Sequence, residues 1–190
     1  TGLNAALLPA IVSAYDYTPF RHIVDVAGGH GSLLAAVLER TPHAQGTLID
    51  LPHVAAVARE TFASRNLGTR ASAVDGSMFE SVPAGADAYL LKWILHDWDD
   101  AACHAILRRI RAAAPPHARL LVIERVLPER ASASPAVRAM MMADLTMMIH
   151  LTGHERTEAE FRPLFEQAGW TLARIVPTAC PLSILEAVPA

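Results

Sequence analysis

Hydrophobic positions along the chain follow two alternating periods. Short apolar, β-branched runs are separated by longer stretches in which apolar residues recur every three or four positions. The first such stretch predicts a lead-in helix over Leu3–Tyr15, followed by a loop at Tyr17–Arg21. A strand at His22–Val26 leads through a glycine cluster into a helix at Ser32–Arg40, which Pro42 stops. The next strand, Gly46–Asp50, passes to a helix that starts on Pro52, a good first helical residue, and runs to Arg65. Strands at Ala71–Asp75 and Ala86–Lys92 flank a loop at Gly76–Gly85. A helix at Asp100–Ala114, broken by Pro115-Pro116, precedes a strand at Arg119–Arg125. Pro128–Pro135 reads as a loose linker, and Ala136–Leu151 as a methionine-rich helix ended by Gly153. Thr157 and Glu160 have capping-box spacing for one more helix, ending at Gly169. Trp170–Thr178 and Leu182–Val188 form a terminal hairpin.

Strands alternating with helices predict a mostly parallel, seven-stranded α/β sheet with helices on both faces, the hairpin adding an antiparallel strand. Ligands in such sheets bind outside the carboxyl ends of the strands. Asp25, Gly28-Gly29, Asp50, Gly76-Ser77-Met78-Phe79, Lys92 and His96 all fall at such ends. The glycines allow close backbone approach, and an acid ending the second strand is where a ribose diol is held.

Composition narrows the picture. The 190 residues are 52% hydrophobic, enough for one core. A net charge of -3 and no basic patch argue against nucleic acid. No apolar run has the length of a membrane span and no signal peptide is visible, so no membrane is expected. Two cysteines, Cys103 and Cys180, suit a reduced, cytoplasmic protein. Of 16 lysine and arginine residues only Lys92 is a lysine, at the end of an apolar strand, which suggests a need for a compact ammonium.

Gly29-His30-Gly31 lacks the third glycine of G-x-G-x-x-G, which weakens a nicotinamide reading. No phosphate-loop signature or zinc spacing is present, and His150 and His154 have no H-E-x-x-H context.

Five segments in this order resemble the class I S-adenosylmethionine-dependent O-methyltransferases of plant phenolic and bacterial polyketide metabolism. They are Asp25-Val26-Ala27-Gly28-Gly29-His30-Gly31, Asp50-Leu51-Pro52-His53-Val54, Gly76-Ser77-Met78-Phe79, Leu91-Lys92-Trp93-Ile94-Leu95-His96-Asp97-Trp98 and Gly153-His154-Glu155-Arg156-Thr157. The resemblance implies a Rossmann-like methyltransferase fold and S-adenosylmethionine as cofactor, S-adenosylhomocysteine as product, and no metal. The glycine loop at Gly28 and Gly29 would face the cofactor's methionine part, Asp50 the ribose hydroxyls, Ser77 and Met78 the adenine, Lys92 would hydrogen-bond to the cofactor, and Asp25 and Leu51 would also be cofactor-binding. His96 would be the general base, flanked by Glu124 and Glu155. Trp93, Asp97, Asp144, Met147 and Met148 are candidates for the pocket of an aromatic acceptor. Ala27 departs from the family's usual glycine and Ser77 from its usual aspartate. A phenol is a weak acid, and a histidine with a pKa near the working pH can take its proton.

The resemblance also implies that residues 1–20 connect from an N-terminal dimerisation domain to a catalytic domain at 21–190, with the full-length protein a homodimer. Other readings stay open. His96 suits a surface position before a helix, Glu124 a solvated strand end, Glu155 with Arg156 a surface ion pair, and the methionines a core. The site is also compatible with a relative diverted to hydroxylation or decarboxylation, or with a catalytically incomplete fragment.

Overall fold

The computed structural model describes residues 2–130 and 153–190. Its elements are α1 (Gly2–Ser13), β1 (His22–Val26), α2 (Ser32–Arg40), β2 (Gln45–Asp50), α3 (Pro52–Ser64), β3 (Ala71–Asp75) and β4 (Ala88–Lys92). A 3₁₀ turn follows at Leu95–Asp97, then α4 (Asp100–Ala113), β5 (Arg119–Glu124), β6 (Val126–Leu127), β7 (Arg156–Thr157), α5 (Glu158–Glu166), β8 (Trp170–Pro177) and β9 (Ser183–Pro189). The linker's end and the methionine-rich helix, with Asp144, Met147 and Met148, lie outside the described residues.

Seven strands form one sheet in the order β3-β2-β1-β4-β5-β9-β8. β1 through β5 pair in parallel, and β9 inserts antiparallel between β5 and β8. The expected class and the terminal hairpin are both present. β1, β4 and β5 are apolar on both faces because helices cover both. On one face α1, α2 and α3 pack through Ile11, Leu34, Leu38 and Phe62. On the other, α4 and α5 pack through Ile106, Leu107, Phe161 and Phe165.

The helix starts follow local chemistry. Asp99 caps α4 by accepting the Ala102 N–H at 2.8 Å. Thr157 and Glu160 form the expected capping box on α5. β4 begins at Ala88 rather than Ala86, because the Ala86 N–H is drawn to the Tyr89 hydroxyl at 3.3 Å. β5 ends at Glu124, and the chain beyond it makes a two-stranded parallel pair, β6 with β7, that the hydrophobic pattern did not reveal. This pair brings the Glu155 segment alongside the end of β5. The strand order reverses between β1 and β4, and the crevice at their carboxyl ends holds the site.

Candidate active site

The glycine loop leaves β1 under tight constraint. Asp25 is 1% exposed, and burial pushes its carboxyl up to about 7, opposed by the charge of Lys92 and reinforced by that of Asp50. Its Oδ2 has no hydrogen-bond partner among the described residues. Gly28 passes so close that a Cβ would stand 2.6 Å from this carboxyl and from Leu48. Ala27 takes a φ of 53°, a left-handed value that costs a side-chain-bearing residue about 1–2 kcal/mol. A glycine, the residue usual for the family, would not carry this strain.

Asp50 at the end of β2 locks the loop from the side. Its Oδ2 accepts the Gly29 N–H at 2.8 Å and its Oδ1 the Leu51 N–H at 2.7 Å. Leu51 beside it is 49% exposed, an apolar surface at the ligand edge. The Gly76 N–H donates to the Asp50 carbonyl at 2.9 Å, which ties the Ser77-Met78 turn to the same edge. Ser77 Oγ accepts the Phe79 N–H at 3.3 Å, and Met78 is half-buried against the core.

A cavity of about 580 Å³ opens in front of the loop, lined among others by Asp25, Gly28, Gly29, Lys92, Trp93 and His96. The N-cap of α2, Gly31, offers no side-chain cap, and the Leu34 N–H is turned to the Asp25 carboxylate, so the N–H groups of Ser32 and Leu33 remain for a ligand. A buried acid with an unpartnered oxygen, an uncapped helix start and a strand-end acid fit a nucleoside cofactor bearing an amino acid moiety.

Trp93 makes the bend out of β4 with a φ of 56°. The Lys92 ammonium lies 4.4 Å from its ring centroid and the Arg125 guanidinium 6.0 Å. Burial lowers the Lys92 pKa, and Asp25, Glu124 and Cys180 counter that effect. The 3₁₀ turn then presents His96. Its Nδ1 is 3.2 Å from Glu124 Oε2 and 3.7 Å from Glu155 Oε1, and its Nε2 is 3.1 Å from Asp97 Oδ1. The Glu124 approach lies off the hydrogen-bond axis, so it is a charge contact rather than an aligned bond. Burial disfavours the imidazolium, but Asp97 and Glu124 outweigh it and raise His96 from 6.5 to about 10. Against the expectation of an ordinary histidine pKa, the carboxylates on either side of the ring favour its protonated form.

The carboxylates are themselves anchored. Glu124 is 1% exposed, and its Oε1 accepts the N–H groups of Ile94 and Leu95 at 2.9 and 3.0 Å. It is neither solvated nor a strand end in the open. Glu155 is 3% exposed and bonds Arg125 at 2.8 Å; burial raises its pKa and Arg125 counters it. The surface pairing of Glu155 with Arg156 is not what the fold makes. Arg156, 1% exposed, instead donates to the carbonyls of Leu95 at 2.8 Å and Trp98 at 3.0 Å and to Asp100 at 2.7 Å. Gly153 packs so tightly under this turn that a Cβ would stand 2.1 Å from the His96 carbonyl oxygen.

Asp25, Gly28, Gly29, Lys92, Trp93 and His96 therefore share one cavity wall, with Glu124, Glu155 and Asp97 against the imidazole. Asp50, Leu51, Ser77 and Met78 adjoin the wall at the strand ends without lining the cavity. Arg125 was not picked out from the sequence, where its only signal is adjacency to Glu124, and Arg156 was read there only as a motif residue and a surface partner of Glu155.

His96, Glu124 and Glu155 place one nitrogen and two carboxylate oxygens within 4.8 Å of one another. Arg125 already answers the charge of Glu155, and two backbone N–H groups hold Glu124. That arrangement orients and charges an imidazole.

The fold and this site together define a Rossmann-like, nucleoside-cofactor-binding protein with a carboxylate-supported histidine at the cavity. The comparisons with known proteins carry the assignment further. The family model for the O-methyltransferase domain matches residues 5–171. A phenazine O-methyltransferase of Lysobacter antibioticus is 43% identical over 99% of this chain and 54% of its own. A mitomycin biosynthesis 6-O-methyltransferase of Streptomyces lavendulae is 43% identical over 93% and 49%. A solved O-methyltransferase from neocarzinostatin biosynthesis, in complex with S-adenosylmethionine and 2-hydroxy-5-methyl naphthoic acid, superposes with a TM-score of 0.88 at 37% identity, over 100% of this chain and 56% of that one. The chain belongs to the O-methyltransferase family, and it spans about half the length of the relatives it matches.

Proposed function

We propose that this chain carries the cofactor-binding and catalytic part of an S-adenosylmethionine-dependent O-methyltransferase acting on a hydroxyl of an aromatic, phenolic or polyketide-type small molecule. The observation that carries the reading is the meeting of His96, Glu124 and Glu155 from three distant segments at the glycine-loop cavity. The relatives' names and the naphthoic acid in the solved complex support an aromatic acceptor. Diversion to hydroxylation or decarboxylation has no observation in its favour.

S-adenosylmethionine, when bound, supplies a methyl group on a sulfonium. Asp25 and the start of α2 suit the ammonium and carboxylate of its methionine part, and Asp50 suits the ribose hydroxyls. Leu51, Ser77 and Met78 border the adenine, and Lys92 hydrogen-bonds the cofactor. No metal enters the scheme.

The acceptor hydroxyl takes the place of Asp97 at His96 Nε2. With that carboxylate withdrawn the imidazole holds its resting proton less tightly, and in the form that has released it to water Nε2 removes the phenolic proton as the oxygen attacks. Glu124 and Glu155 lie against Nδ1 and by their charge support the imidazolium that forms. Opposite charges cancel in the attack, so the dry wall made by Trp93 and the covered imidazole favours it. Asp97 and Trp93 border the acceptor.

In the full-length protein α1 continues from an N-terminal dimerisation domain, a reading for which the greater length of the relatives leaves room, and a homodimer completes the acceptor pocket. Two free cysteines suit a cytoplasmic site of action. Among the described residues no helix is long and apolar enough to cross a membrane. The test is methyl transfer from labelled S-adenosylmethionine to a panel of phenols by the full-length protein. His96→Gln is expected to lower turnover about 10²–10⁴-fold while S-adenosylhomocysteine binding stays nearly intact. Wild-type turnover in that variant would refute the base assignment.

A further inference from the structure

We infer that Arg125 selects acceptors bearing a carboxylate beside the hydroxyl to be methylated, which makes ortho-hydroxyaryl carboxylates the favoured substrate class; this rests on the methyl-transfer reading above. Arg125 follows Glu124 where β5 ends, and it lines the same cavity as His96. Its side chain is 22% exposed, and its one hydrogen bond among the described residues runs to Glu155 Oε1 at 2.8 Å. His96 Nδ1 approaches the same oxygen at 3.7 Å. A single carboxylate oxygen therefore links the guanidinium and the proposed base.

The charges around the cavity are divided. Asp97, Glu124 and Glu155 surround His96 and repel an anion. Of the two permanent cations in the wall, Lys92 is coupled first to Asp25 at the glycine-loop end. Arg125 is the cation at the His96 end, on the same indole ring as Lys92. An anionic substituent on an acceptor whose hydroxyl meets His96 finds attraction there and repulsion from the carboxylates.

Guanidinium geometry matches this task. It is a planar fork of N–H donors suited to carboxylate, and Glu155 occupies only part of it. The chemistry of the acceptor gives the contact a second effect. A carboxylate ortho to a phenol holds the phenolic proton in an internal hydrogen bond and, by its charge, makes the phenol a weaker acid. Drawing that carboxylate onto Arg125 breaks the internal bond and turns the hydroxyl towards His96.

The experiment compares 3-hydroxy-2-naphthoate with 2-naphthol, which differ only by the carboxylate. The full-length protein is expected to favour the naphthoate in kcat/KM. Arg125→Gln costs activity on both, since Glu155 loses its partner, but the naphthoate-to-naphthol ratio should fall about 10–100-fold, the range for a hydrogen bond to a charged group. The change should appear mainly in KM, and Arg125→Lys should recover part of the ratio. An unchanged ratio in Arg125→Gln, or a wild-type preference for 2-naphthol, overturns the inference. Calorimetric binding of the same pair to the S-adenosylhomocysteine complex reads the same ratio without chemistry. Absence of methyl transfer therefore counts against the methyl-transfer reading, while the binding ratio still decides the role of Arg125.

Discussion

Asp97→Asn tests how His96 is charged. Asparagine keeps an oxygen near Nε2 but removes the negative charge 3.1 Å from it. His96 stands at about 10 against an ordinary 6.5, and the raise is shared between Asp97 and Glu124. An opposite charge at this range moves a pKa by about 1–3. The Asp97 side chain is 35% exposed, so water screens it and the lower part of that range applies. A fall of about 1–2 corresponds to about 1.4–2.7 kcal/mol of the preference for imidazolium. The acid limb of the kcat/KM profile should move down by the same amount, and an NMR titration of the His96 ring in the free protein should follow it. Stability must change with a matching sign. A histidine raised on folding stabilises fully below its unfolded pKa, and this contribution is lost as pH rises through about 10. In Asp97→Asn the loss still begins at the unfolded pKa, but the contribution is smaller and its loss is complete at lower pH. An unmoved limb together with an unmoved ring titration would show that Asp97 does not hold the proton on His96.

Two further outcomes test the cofactor and scaffold assignments. Asp50→Ala should weaken S-adenosylhomocysteine binding by about 1–3 kcal/mol through loss of a charged acceptor, and it frees the Gly29 and Leu51 N–H groups; unchanged affinity by calorimetry would remove Asp50 from the ribose. Arg156→Met takes the guanidinium donor from the buried carbonyls of Leu95 and Trp98 and leaves them the weaker thiol donor of Cys103. Urea unfolding should record a loss of about 2–4 kcal/mol, whereas no measurable loss would mean that the turn holds itself.

The elements that bury both faces were the most legible in the sequence. β1 and α2 begin and end where the hydrophobic pattern places them, because an uninterrupted apolar run or a full helical stripe leaves little choice. β6 and β7 contain two residues each, too few to show a period, and they pair only because distant segments meet. Arg156 read as a surface residue because a fully buried arginine is rare without a partner. Its partners are backbone carbonyls of the His96 turn, which no residue pattern displays. The candidate base and its two glutamates were legible only through the family-like order of segments. The proximity of Asp97 to Nε2, and with it the charge state of the base, required the three-dimensional geometry.

Glu124 divides its carboxylate between two tasks: one oxygen holds the backbone at Ile94 and Leu95, and the other faces the imidazole. This limits how the enzyme can be tuned. A substitution at Glu124 that changes the charge beside His96 also releases the turn that aims His96, so basicity and alignment cannot be varied separately there. Asp97 has no comparable backbone duty among its described hydrogen bonds, and Glu155 is fastened through a side chain, Arg125. Attempts to adapt this scaffold to less acidic or more acidic acceptors therefore have their adjustable positions at Asp97 and at the Arg125–Glu155 pair, with Glu124 held fixed.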